Sequence, residues 1–327
     1  MNNKVLIVSF SFEQEPEAFQ ALKDGGLDPV LLAEKDREGF TEDDLLDYWN
    51  KMEEKPSGIL MGADIQLGRK FAEGAEGLKY ISLNCAGYDH LDLPAFCGKG
   101  ITVCNVPRQN FDAVADLAWG LILSVMRKIV EGDRNIRSGK WCDGVARGIA
   151  VSRKTMGIIG FGAIGQAVAK RGIGFDMDVI YNDLFENQEA SEKYNAKFVD
   201  RETLFKEADI IISTCPLTED THHLINRDSI ALMKKSAVVI NSSRGGIVDA
   251  QAVYEAVRDG KIAGAGLDVF EEEPLYESPL FGLDNVVLTP HMGGLADREI
   301  HNVAMQSAYH MVSLLKGETT GTELKGE

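Results

Sequence analysis

Short apolar runs alternate with helix-like segments along the first hundred residues. The runs that predict strands there are Val5 to Val8, Ile59 to Met61, Tyr80 to Leu83 and Ile101 to Cys104. Runs rich in β-branched residues and separated by amphipathic stretches are typical of α/β proteins. The first part of the chain is therefore predicted to form an α/β unit.

A long periodic segment, Asp112 to Val130, follows this part. Its apolar residues recur at spacings of three and four, which places them on one face of a helix. Those residues are Val114, Leu117, Ala118, Leu121, Ile122 and Val125. The pattern predicts one long buried helix that marks the passage between two domains.

The alternation of strands and helices restarts at Thr155. The predicted strands are Met156 to Ile159, Val179 to Asn182, Ile210 to Ser213, Val238 to Asn241, Ala265 to Asp268 and Val286 to Leu288. Short apolar strands separated by helices fit a doubly wound parallel sheet, whose ligands bind beyond the carboxyl ends of the strands. The segment Asp297 to Leu315 is predicted to be a helix that packs back on the first hundred residues.

Composition and charge limit the classes of partner. The chain has 327 residues, of which 44% are hydrophobic, and this length fits two domains better than one. Its formal net charge of −17 disfavours nucleic acid and anionic membrane surfaces as partners. The apolar stretch near Leu117 to Met126 is shorter than the roughly 20 residues that span a bilayer, and the apolar run after Lys4 is too short for a signal peptide. We therefore expect a cytoplasmic protein.

The pattern of cysteines and histidines predicts neither disulfides nor a metal site. The five cysteines are scattered and form no CxxC pair: Cys85, Cys97, Cys104, Cys142 and Cys215. Such spacing is not that of a disulfide framework or a zinc site and fits a reducing compartment. The adjacent His222 and His223 could not both face the same way on a helix, so we interpret them as ordinary polar residues.

A glycine-rich turn follows the first strand predicted after Thr155. In GIIGFGAIGQAVAKR, Gly160, Gly162 and Gly165 have the spacing GxGxxG. This spacing between a strand and a helix is typical of sites that bind the pyrophosphate of a dinucleotide. A glycine-rich turn without a ligand is the alternative interpretation.

Asp183 favours the dinucleotide interpretation and discriminates between cofactors. It lies eighteen residues after Gly165 and follows the next predicted strand, where a carboxylate accepts hydrogen bonds from ribose hydroxyls. Its negative charge would repel a 2′-phosphate, and the neighbours Asn182, Leu184 and Phe185 provide no arginine to compensate. We therefore predict NAD, rather than NADP, as the cofactor.

Three chemically useful residues follow the last predicted strands. NSSRGG, LDVFEEEP and TPHMGG contribute Arg244, Glu273 and His291. Reduction of a 2-oxo acid needs a cation that binds the carboxylate, an acid that protonates the developing alkoxide, and a partner that keeps this acid charged. We predict that Arg244, His291 and Glu273 fill these roles in that order. Taken singly, each could instead be an exposed turn residue, part of a solvated acidic run, or a residue that shapes a loop.

Taken together, these segments resemble the D-isomer-specific 2-hydroxyacid dehydrogenase family. The stretches that carry the resemblance are NCAGYDHLDL, NVPRQNFDAVADLAWGLILSVMRKI, GIIGFGAIGQAVAKR, STCPLTEDTHHLIN, INSSRGGIVD, AGLDVFEEEP and LTPHMGG. The resemblance implies a D-specific exchange of hydride between NAD(H) and C2 of a small 2-hydroxy or 2-oxo acid. Glu273, in place of the glutamine expected of formate dehydrogenases in this family, favours a carbonyl substrate. The long helical segment, with IRSGKW after it, looks closest to glyoxylate or hydroxypyruvate reductases and to proteins called phosphoglycerate dehydrogenase.

The resemblance also implies the domain organisation. The expected fold is α/β, with two Rossmann-like or flavodoxin-like domains built on doubly wound parallel sheets. Residues 1–104 and 295–327 would form a discontinuous substrate-binding domain. Residues 105–294 would form an inserted NAD-binding domain that includes a dimerisation helix and arm, so a homodimer is expected.

Further site residues are implied by the family pattern. Besides the glycines, Asp183, Arg244 and His291, the residues implied to border the cofactor are Ala163, Ile164, Cys215, Pro216, Thr221, Ser242, Ser243, Asp268 and Gly293. Asp268 would bind the nicotinamide amide. The loop with Asn84, Ala86 and Gly87 would bind the substrate carboxylate through backbone N–H groups.

The contacts of the substrate's side chain are left open by the sequence. The candidates are Phe10, Phe12, Tyr88 and Met292, with Arg108 and Trp141 as further possibilities. Two other functions also stay open. Relatives of this fold act as transcriptional corepressors, so an NAD(H)-sensing interaction module is one alternative. An oxidoreductase acting on another small oxyanion, such as phosphite, is the second, because Arg244 and His291 suit any small anion.

Overall fold

The chain folds into two compact units. The computed structural model describes residues 3–9, 11–32, 40–63 and 65–326. We call Met1–Asn110 with Leu295–Glu327 the terminal unit, and Phe111–Gly294 the central unit. The turn that starts at residue 105 belongs to the terminal unit because Asn105 Nδ2 donates to the Ala86 carbonyl (2.7 Å) and the Val106 N–H to the Cys85 carbonyl (3.0 Å).

Strands and helices alternate through both units. In the described residues the strands are β1 (Lys4–Val8), β2 (Asp28–Leu31), β3 (Gly58–Met61), β4 (Tyr80–Leu83), β5 (Thr102–Cys104), β6 (Thr155–Ile159), β7 (Asp178–Asn182), β8 (Ala196–Phe198), β9 (Ile210–Ser213), β10 (Val238–Asn241), β11 (Gly264–Leu267) and β12 (Val286–Leu288). The α-helices are α1 (Pro16–Asp24), α2 (Glu42–Lys51), α3 (Arg69–Gly74), α4 (Leu93–Gly98), α5 (Phe111–Arg127), α6 (Ile129–Arg137), α7 (Ala163–Gly172), α8 (Gln188–Tyr194), α9 (Arg201–Glu207), α10 (Arg227–Leu232), α11 (Ala250–Arg258) and α12 (Asp297–Lys316).

The terminal unit is built on a parallel sheet with the strand order β2-β1-β3-β4-β5. Successive residues of β1 face opposite sides of this sheet, as the pleat requires. Val5 and Ile7 pack in a cluster with Met311 of α12, whereas Leu6 and Val8 lie in the cluster on the other face. Because both faces are covered, β1 is apolar along most of its length. The helix predicted from the last apolar segment does pack on this unit, against α1 and β4.

The central unit is built on a second parallel sheet, with the order β12-β11-β10-β9-β6-β7-β8. The strand order reverses between β6 and β9, which is the topological switch point where ligands of such sheets bind. Leu121 and Val125 of α5 pack on one face, and Leu204 and Val253 pack on the other. The two sheets confirm the predicted α/β class with doubly wound parallel sheets.

Two edge strands escape prediction from the sequence. β2 contains Pro29 and is only partly buried, and β8 has three residues. Both lie at the edge of their sheets, where one side of the backbone needs no partner strand and proline is tolerated. Their sequences therefore lack the apolar run that marks the central strands.

The prediction of one continuous helix from Asp112 to Val130 is wrong. The backbone of Lys128 is left-handed (φ 58°), and this residue separates α5 from α6. The apolar stripe of α5 reaches Val125 and Met126, whereas α6 has no buried residue. Only α5 is therefore stabilised by packing against the sheet. Among the described residues, no helix is long and apolar enough to cross a membrane.

We expect Leu204→Ala to destabilise the central unit by about 2–5 kcal/mol, because Leu204 is fully buried. The side chain lies against Gly157 of β6, where an added Cβ would stand 2.8 Å from Leu204 Cδ2. Chemical denaturation followed by circular dichroism measures the change. Leu184→Ala is the matched control, since Leu184 is 77% exposed and its truncation should leave the free energy of unfolding nearly unchanged. Equal effects of the two substitutions would contradict the packing described here.

Candidate active site

The glycine-rich turn lies at the switch point of the central sheet. Gly160, directly after β6, has a left-handed backbone (φ 90°), and an added Cβ would stand 2.7 Å from the Cys215 backbone nitrogen. Thr214 Oγ1 donates to the Gly160 carbonyl (2.6 Å). The ends of β6 and β9 are therefore tied together, and only glycine fits between them.

The other two glycines of the motif serve different purposes. An added Cβ at Gly165 would stand 2.3 Å from the Gly160 carbonyl oxygen, so this glycine allows helix and turn to pack closely. An added Cβ at Gly162 would meet no protein atom within 4 Å. Gly162 is the N-cap of α7, and no side chain caps that helix terminus. The open space beside uncapped N–H groups fits the pyrophosphate of a dinucleotide, which Ala163 and Ile164 would face.

Asp183 stands beside this turn, directly after β7. Its Oδ2 accepts a hydrogen bond from the Phe161 N–H (2.6 Å), and its Oδ1 accepts one from the Leu184 N–H (2.7 Å). The carboxylate is thus held in place by backbone donors and keeps further acceptor capacity. The neighbours Leu184 and Phe185 are exposed. The structure places Asp183 where the sequence predicts the ribose contact.

A buried amide organises the loop that carries Arg244. Asn241 ends β10 and has no exposed surface. Its Oδ1 accepts hydrogen bonds from the Ser213 hydroxyl (2.7 Å) and the Ser243 hydroxyl (3.0 Å), and its Nδ2 donates to the Arg244 carbonyl (2.8 Å). The Ser243 side chain is therefore used internally. The Ser242 hydroxyl is buried and has no hydrogen-bond partner among the described residues, so it is the better candidate for a cofactor contact.

The Arg244 loop packs tightly against the segment that follows β11. An added Cβ at Gly245 would lie 1.9 Å from the Phe270 carbonyl carbon, so no larger residue fits there. The Phe270 N–H donates in turn to Glu273 Oε1 (2.9 Å). Arg244 itself is half-buried, and its Nη1 donates to the Ser243 carbonyl (2.8 Å). Backbone contact thus brings the loop of Arg244 against the segment of Glu273.

His291 and Glu273 form the predicted pair. His291 Nδ1 lies 2.6 Å from Glu273 Oε2. Because Nδ1 is engaged by the carboxylate, Nε2 is the nitrogen that remains for a substrate. His291 has a left-handed backbone (φ 49°), and its N–H donates to the Asp268 carbonyl (2.8 Å).

Glu273 favours the charged form of the His291 imidazole. The hydrogen bond to Glu273 raises the pKa of His291 above its ordinary value of 6.5, against an opposing effect of partial burial and of the Arg244 charge. Burial acts to raise the pKa of Glu273, but the hydrogen bonds from His291 and the Phe270 N–H outweigh it and bring the pKa below 4.5. Arg244 is close enough to lower the pKa values of both groups. The three predicted residues therefore interact electrostatically with one another.

Asp268 anchors the loop that carries His291 through hydrogen bonds. The carboxylate is fully buried and accepts hydrogen bonds from the Thr289 hydroxyl (2.6 Å), the Met292 N–H (2.9 Å) and the Gly293 N–H (2.9 Å). These bonds use three of about four acceptor positions of a carboxylate. Sequence reasoning did not find this anchoring role, because an aspartate after a strand looks the same whether it faces inward or outward.

Two other predicted cofactor neighbours, Cys215 and Thr221, lie in the loop that follows β9. Cys215 is buried, and burial raises the pKa of its thiol to about 11, so the thiol is inert at neutral pH. Thr221 is also buried; its hydroxyl donates to the carbonyl of Pro216 (2.7 Å) and accepts from the Thr218 N–H (2.7 Å). This turn is thus rigidly closed next to the glycine-rich turn.

The loop after β4, in the terminal unit, only partly matches its predicted role. The Asn84 N–H donates to the Met61 carbonyl (2.6 Å), and its side chain joins a buried network in which Ser307 donates to Oδ1 (3.0 Å). Asn84 therefore has no backbone donor left for a substrate. The N–H groups of Ala86 and Gly87 have no partner among the described residues, so these two remain candidates.

The candidates for contact with the substrate's side chain also divide. Phe12 is fully buried and stacks obliquely on Phe19 within the core, so it does not face a ligand. Phe10 lies outside the described residues. Tyr88 and Met292 are partly exposed, at 44% and 36%. They remain available as candidates.

The two adjacent histidines do not lie on a helix, which was the basis for treating them as ordinary polar residues. His223 has a left-handed backbone (φ 48°). The rings of His222 and His223 consequently stack on each other, with centroids 4.0 Å apart and planes inclined by 21°. The Glu271 carboxylate forms a hydrogen bond with Nε2 of His223. That premise of the sequence interpretation is therefore wrong.

Comparisons with known proteins identify relatives of this chain. Residues 119–293 match the family model described as D-isomer specific 2-hydroxyacid dehydrogenase, NAD binding domain. A glyoxylate reductase of Thermococcus litoralis is 40% identical over 291 residues, which cover 84% of this chain and 88% of the relative. A glyoxylate/hydroxypyruvate reductase B of Erwinia tasmaniensis is 37% identical over 264 residues (79% and 82%). The crystal structure of a glyoxylate reductase from Paecilomyes thermophila has a TM-score of 0.86 at 26% identity and covers 99% of this chain and 98% of that one.

We expect Glu273→Gln to lower the pKa of His291, because the substitution removes the negative charge and the strong hydrogen bond that raise it. The ion pair stabilises the fold only between the depressed pKa of Glu273 and the raised pKa of His291. Its contribution is lost as the pH falls through the first or rises through the second. NMR titration of the imidazole Cε1–H measures the shift. Glu271→Gln, two residues away, is the control and should leave the His291 titration unchanged; equal shifts in both variants would contradict the pairing.

Proposed function

Because this chain belongs to the D-isomer-specific 2-hydroxyacid dehydrogenase family and is an NAD-dependent oxidoreductase of that family, we propose that it reduces glyoxylate with NADH. Hydroxypyruvate is the next candidate substrate. The names of the relatives, glyoxylate reductase and glyoxylate/hydroxypyruvate reductase, support this choice. The observation that carries the proposed chemistry is the His291–Glu273 pair within the electrostatic reach of Arg244.

Arg244 is proposed to bind and orient the substrate. A guanidinium group can bind a carboxylate through two parallel hydrogen bonds, and its positive charge also polarises a neighbouring carbonyl. The fixed backbone of the Gly245 turn supports the position of this side chain. Bound NADH would supply the hydride that reduces C2.

His291 is proposed to be the general acid. With Nδ1 engaged by Glu273, a proton on Nε2 is available to the oxygen on C2 as negative charge develops there. Glu273 holds the ring in one orientation and favours its protonated form, since it raises the pKa of His291. In the direction of oxidation, the neutral imidazole would accept the proton. Reduction should therefore fade as the pH rises through this raised pKa.

The residues around the glycine-rich turn are proposed to hold the cofactor. The uncapped N–H groups at the start of α7 would bind the pyrophosphate, and Asp183 would accept hydrogen bonds from the ribose. The unpartnered Ser242 hydroxyl and the remaining acceptor position of Asp268 suit the polar groups of the nicotinamide end. We assign NAD binding to the central unit, which also carries Arg244, Glu273 and His291. In the terminal unit, Ala86 and Gly87 are proposed as N–H donors to the substrate carboxylate.

We further propose that the protein is a cytoplasmic homodimer. α6 has no buried residue, and apolar side chains are exposed on it and on the arm that follows: Ile129, Val130, Ile136 and Trp141. Several exposed apolar side chains close together in the sequence are typical of a face that another protein covers, and a second copy of the chain is the simplest partner. All five cysteines are thiols rather than disulfides, as suits a reducing compartment.

We expect wild-type protein to oxidise NADH with glyoxylate, and His291→Ala to lower the turnover number by about 10²–10⁴ with little effect on NADH binding. Arg244→Ala should raise KM and lower kcat together, because it removes both substrate binding and polarisation. Absorbance at 340 nm follows the reaction across glyoxylate, hydroxypyruvate, pyruvate and longer 2-oxo acids.

His301→Ala is the control for histidine loss, because His301 pairs with Glu15 in the terminal unit, and this variant should keep wild-type turnover. Wild-type kinetics in either site variant would remove that residue from the mechanism. Saturable NADH binding without turnover of any 2-oxo acid would instead favour the NAD(H)-sensing function. Phosphite-dependent formation of NADH would favour the oxyanion alternative.

We expect Asp183→Asn to improve the use of NADPH relative to NADH by about tenfold or more, because it removes the charge that repels a 2′-phosphate. The asparagine oxygen can still accept the hydrogen bond from the Phe161 N–H. Steady-state kinetics with both cofactors give the ratio of the two kcat/KM values. Glu189→Gln, an exposed acid in the first turn of α8, should leave this ratio unchanged. An unchanged ratio in Asp183→Asn would rule out the proposed role of this residue.

A further inference from the structure

Three potential metal ligands meet on the central unit beside the Arg244 loop. Among the described residues, His222, His223 and Glu271 form a group whose ligand atoms all lie within 4.8 Å of one another. His222 and Glu271 are exposed and His223 is partly exposed, so ions can reach the group from solvent. The hydrogen bond between His223 and Glu271 does not by itself explain why His222 lies beside them.

The backbone brings the two rings together. Side chains of adjacent residues normally diverge, but the left-handed conformation of His223 turns its ring onto the same side as that of His222. The His223 N–H donates to the Gly246 carbonyl (2.8 Å), which fixes this conformation. Close approach of His222 to the same glycine places the second ring: an added Cβ on Gly246 would stand 3.5 Å from His222 Cδ2. The rings are therefore held side by side before any ion binds.

The chemistry of the group selects a class of ion. Two imidazoles with one carboxylate suit Zn²⁺, Ni²⁺, Co²⁺ and Cu²⁺, whereas Mg²⁺ and Ca²⁺ prefer ligand sets made of oxygen alone. Neighbouring ligands of a tetrahedral zinc ion lie about 3.4 Å apart, which follows from bond lengths of about 2.1 Å. Rotation of exposed side chains that already lie within 4.8 Å can reach that spacing. Water would complete the coordination.

We propose that His222, His223 and Glu271 form a binding site for a divalent transition-metal ion, with Zn²⁺ as its simplest occupant. The ion would tie two segments that flank the catalytic groups. His223 is bonded to the carbonyl of Gly246, two residues after Arg244, and Glu271 lies two residues before Glu273. The site is distinct from the His291–Glu273 pair, which offers only two ligands. Occupancy should therefore stabilise the loops around Arg244 and Glu273.

Isothermal titration of untagged, EDTA-treated full-length protein with Zn²⁺ tests the proposal. The expected result is saturable binding of one ion per chain at this site, no comparable heat with Mg²⁺, and a higher Tm in the presence of Zn²⁺. His222→Ala and Glu271→Gln should each weaken Zn²⁺ binding by at least about tenfold, a loss seen even for residues that only support a ligand. Titration with Co²⁺ should produce visible absorption bands without the near-ultraviolet band of cobalt bound to thiolate.

The controls separate this site from other zinc-binding groups. Cys142→Ser removes an exposed thiol, and His291→Gln removes the catalytic imidazole; both variants should retain the binding event. Glu271→Gln preserves the size of the side chain, and an unchanged circular dichroism spectrum without metal would verify its fold. Absence of saturable Zn²⁺ binding in the wild-type protein overturns the proposal, and so does an unchanged, wild-type affinity for Zn²⁺ in His222→Ala and Glu271→Gln. So does binding that is lost in His291→Gln but kept in His222→Ala.

Discussion

The geometry of the site depends on one buried carboxylate. Asp268 follows β11 and is shielded from solvent, and the hydrogen bonds to its oxygens come from Thr289, Met292 and Gly293. A buried carboxylate without partners would be strongly destabilising, so these donors are held firmly in place. All three belong to the loop that carries His291. The hydrogen bonds that the buried Asp268 carboxylate needs therefore also fix the position of the His291 imidazole.

A buried polar side chain at the end of the neighbouring strand, β10, anchors a second loop in the same way. Here the group is the neutral amide of Asn241. Asn241 is buried at the end of β10, and its amide fixes the carbonyl of Arg244. The two anchors are directly linked, since β10 and β11 pair in parallel and the Asp268 N–H donates to the Asn241 carbonyl (2.9 Å). The loops of Arg244 and His291 therefore share one buried polar foundation. A substitution of either Asn241 or Asp268 would disturb both loops. The effects of substituting the two residues should therefore not be additive.

The sequence predicts the apolar framework well, because burial on both faces of a parallel sheet leaves uninterrupted apolar runs at β1, β6 and β9. The GxGxxG spacing and the position of Asp183 after β7 predict the cofactor turn by the same logic. What the pattern does not contain is the direction in which a polar side chain points. Asn241 and Asp268 lie inside the structure, although their residue types suggest ligand contacts as readily as internal ones.

Local backbone conformation is the second quantity that the residue pattern leaves out. Lys128 (φ 58°) and His223 (φ 48°) both have left-handed backbones. The first interrupts an apolar helical stripe, and the second places its ring beside that of His222. A helical projection presupposes regular dihedral angles and fails at such residues. Sequence alone could not have detected either position. Glycine often marks a left-handed conformation because it adopts it readily, whereas lysine and histidine give no such signal. For His223 the conformation is fixed by the hydrogen bond from its N–H to the Gly246 carbonyl.

The same strained conformation brings two histidine rings against one acidic segment in a chain of net charge −17. His223 and His291 both have left-handed backbones, which for residues other than glycine cost about 1–3 kcal/mol. In each case a backbone carbonyl accepts the N–H and a glutamate of the run 271–273 binds the ring. For Glu273 the cationic form of the partner is favoured, because Glu273 raises the pKa of His291. In both loops the strain is thus offset by a hydrogen bond from the backbone N–H and by a contact between the histidine ring and a glutamate carboxylate, so the two histidine loops are held against the acidic run.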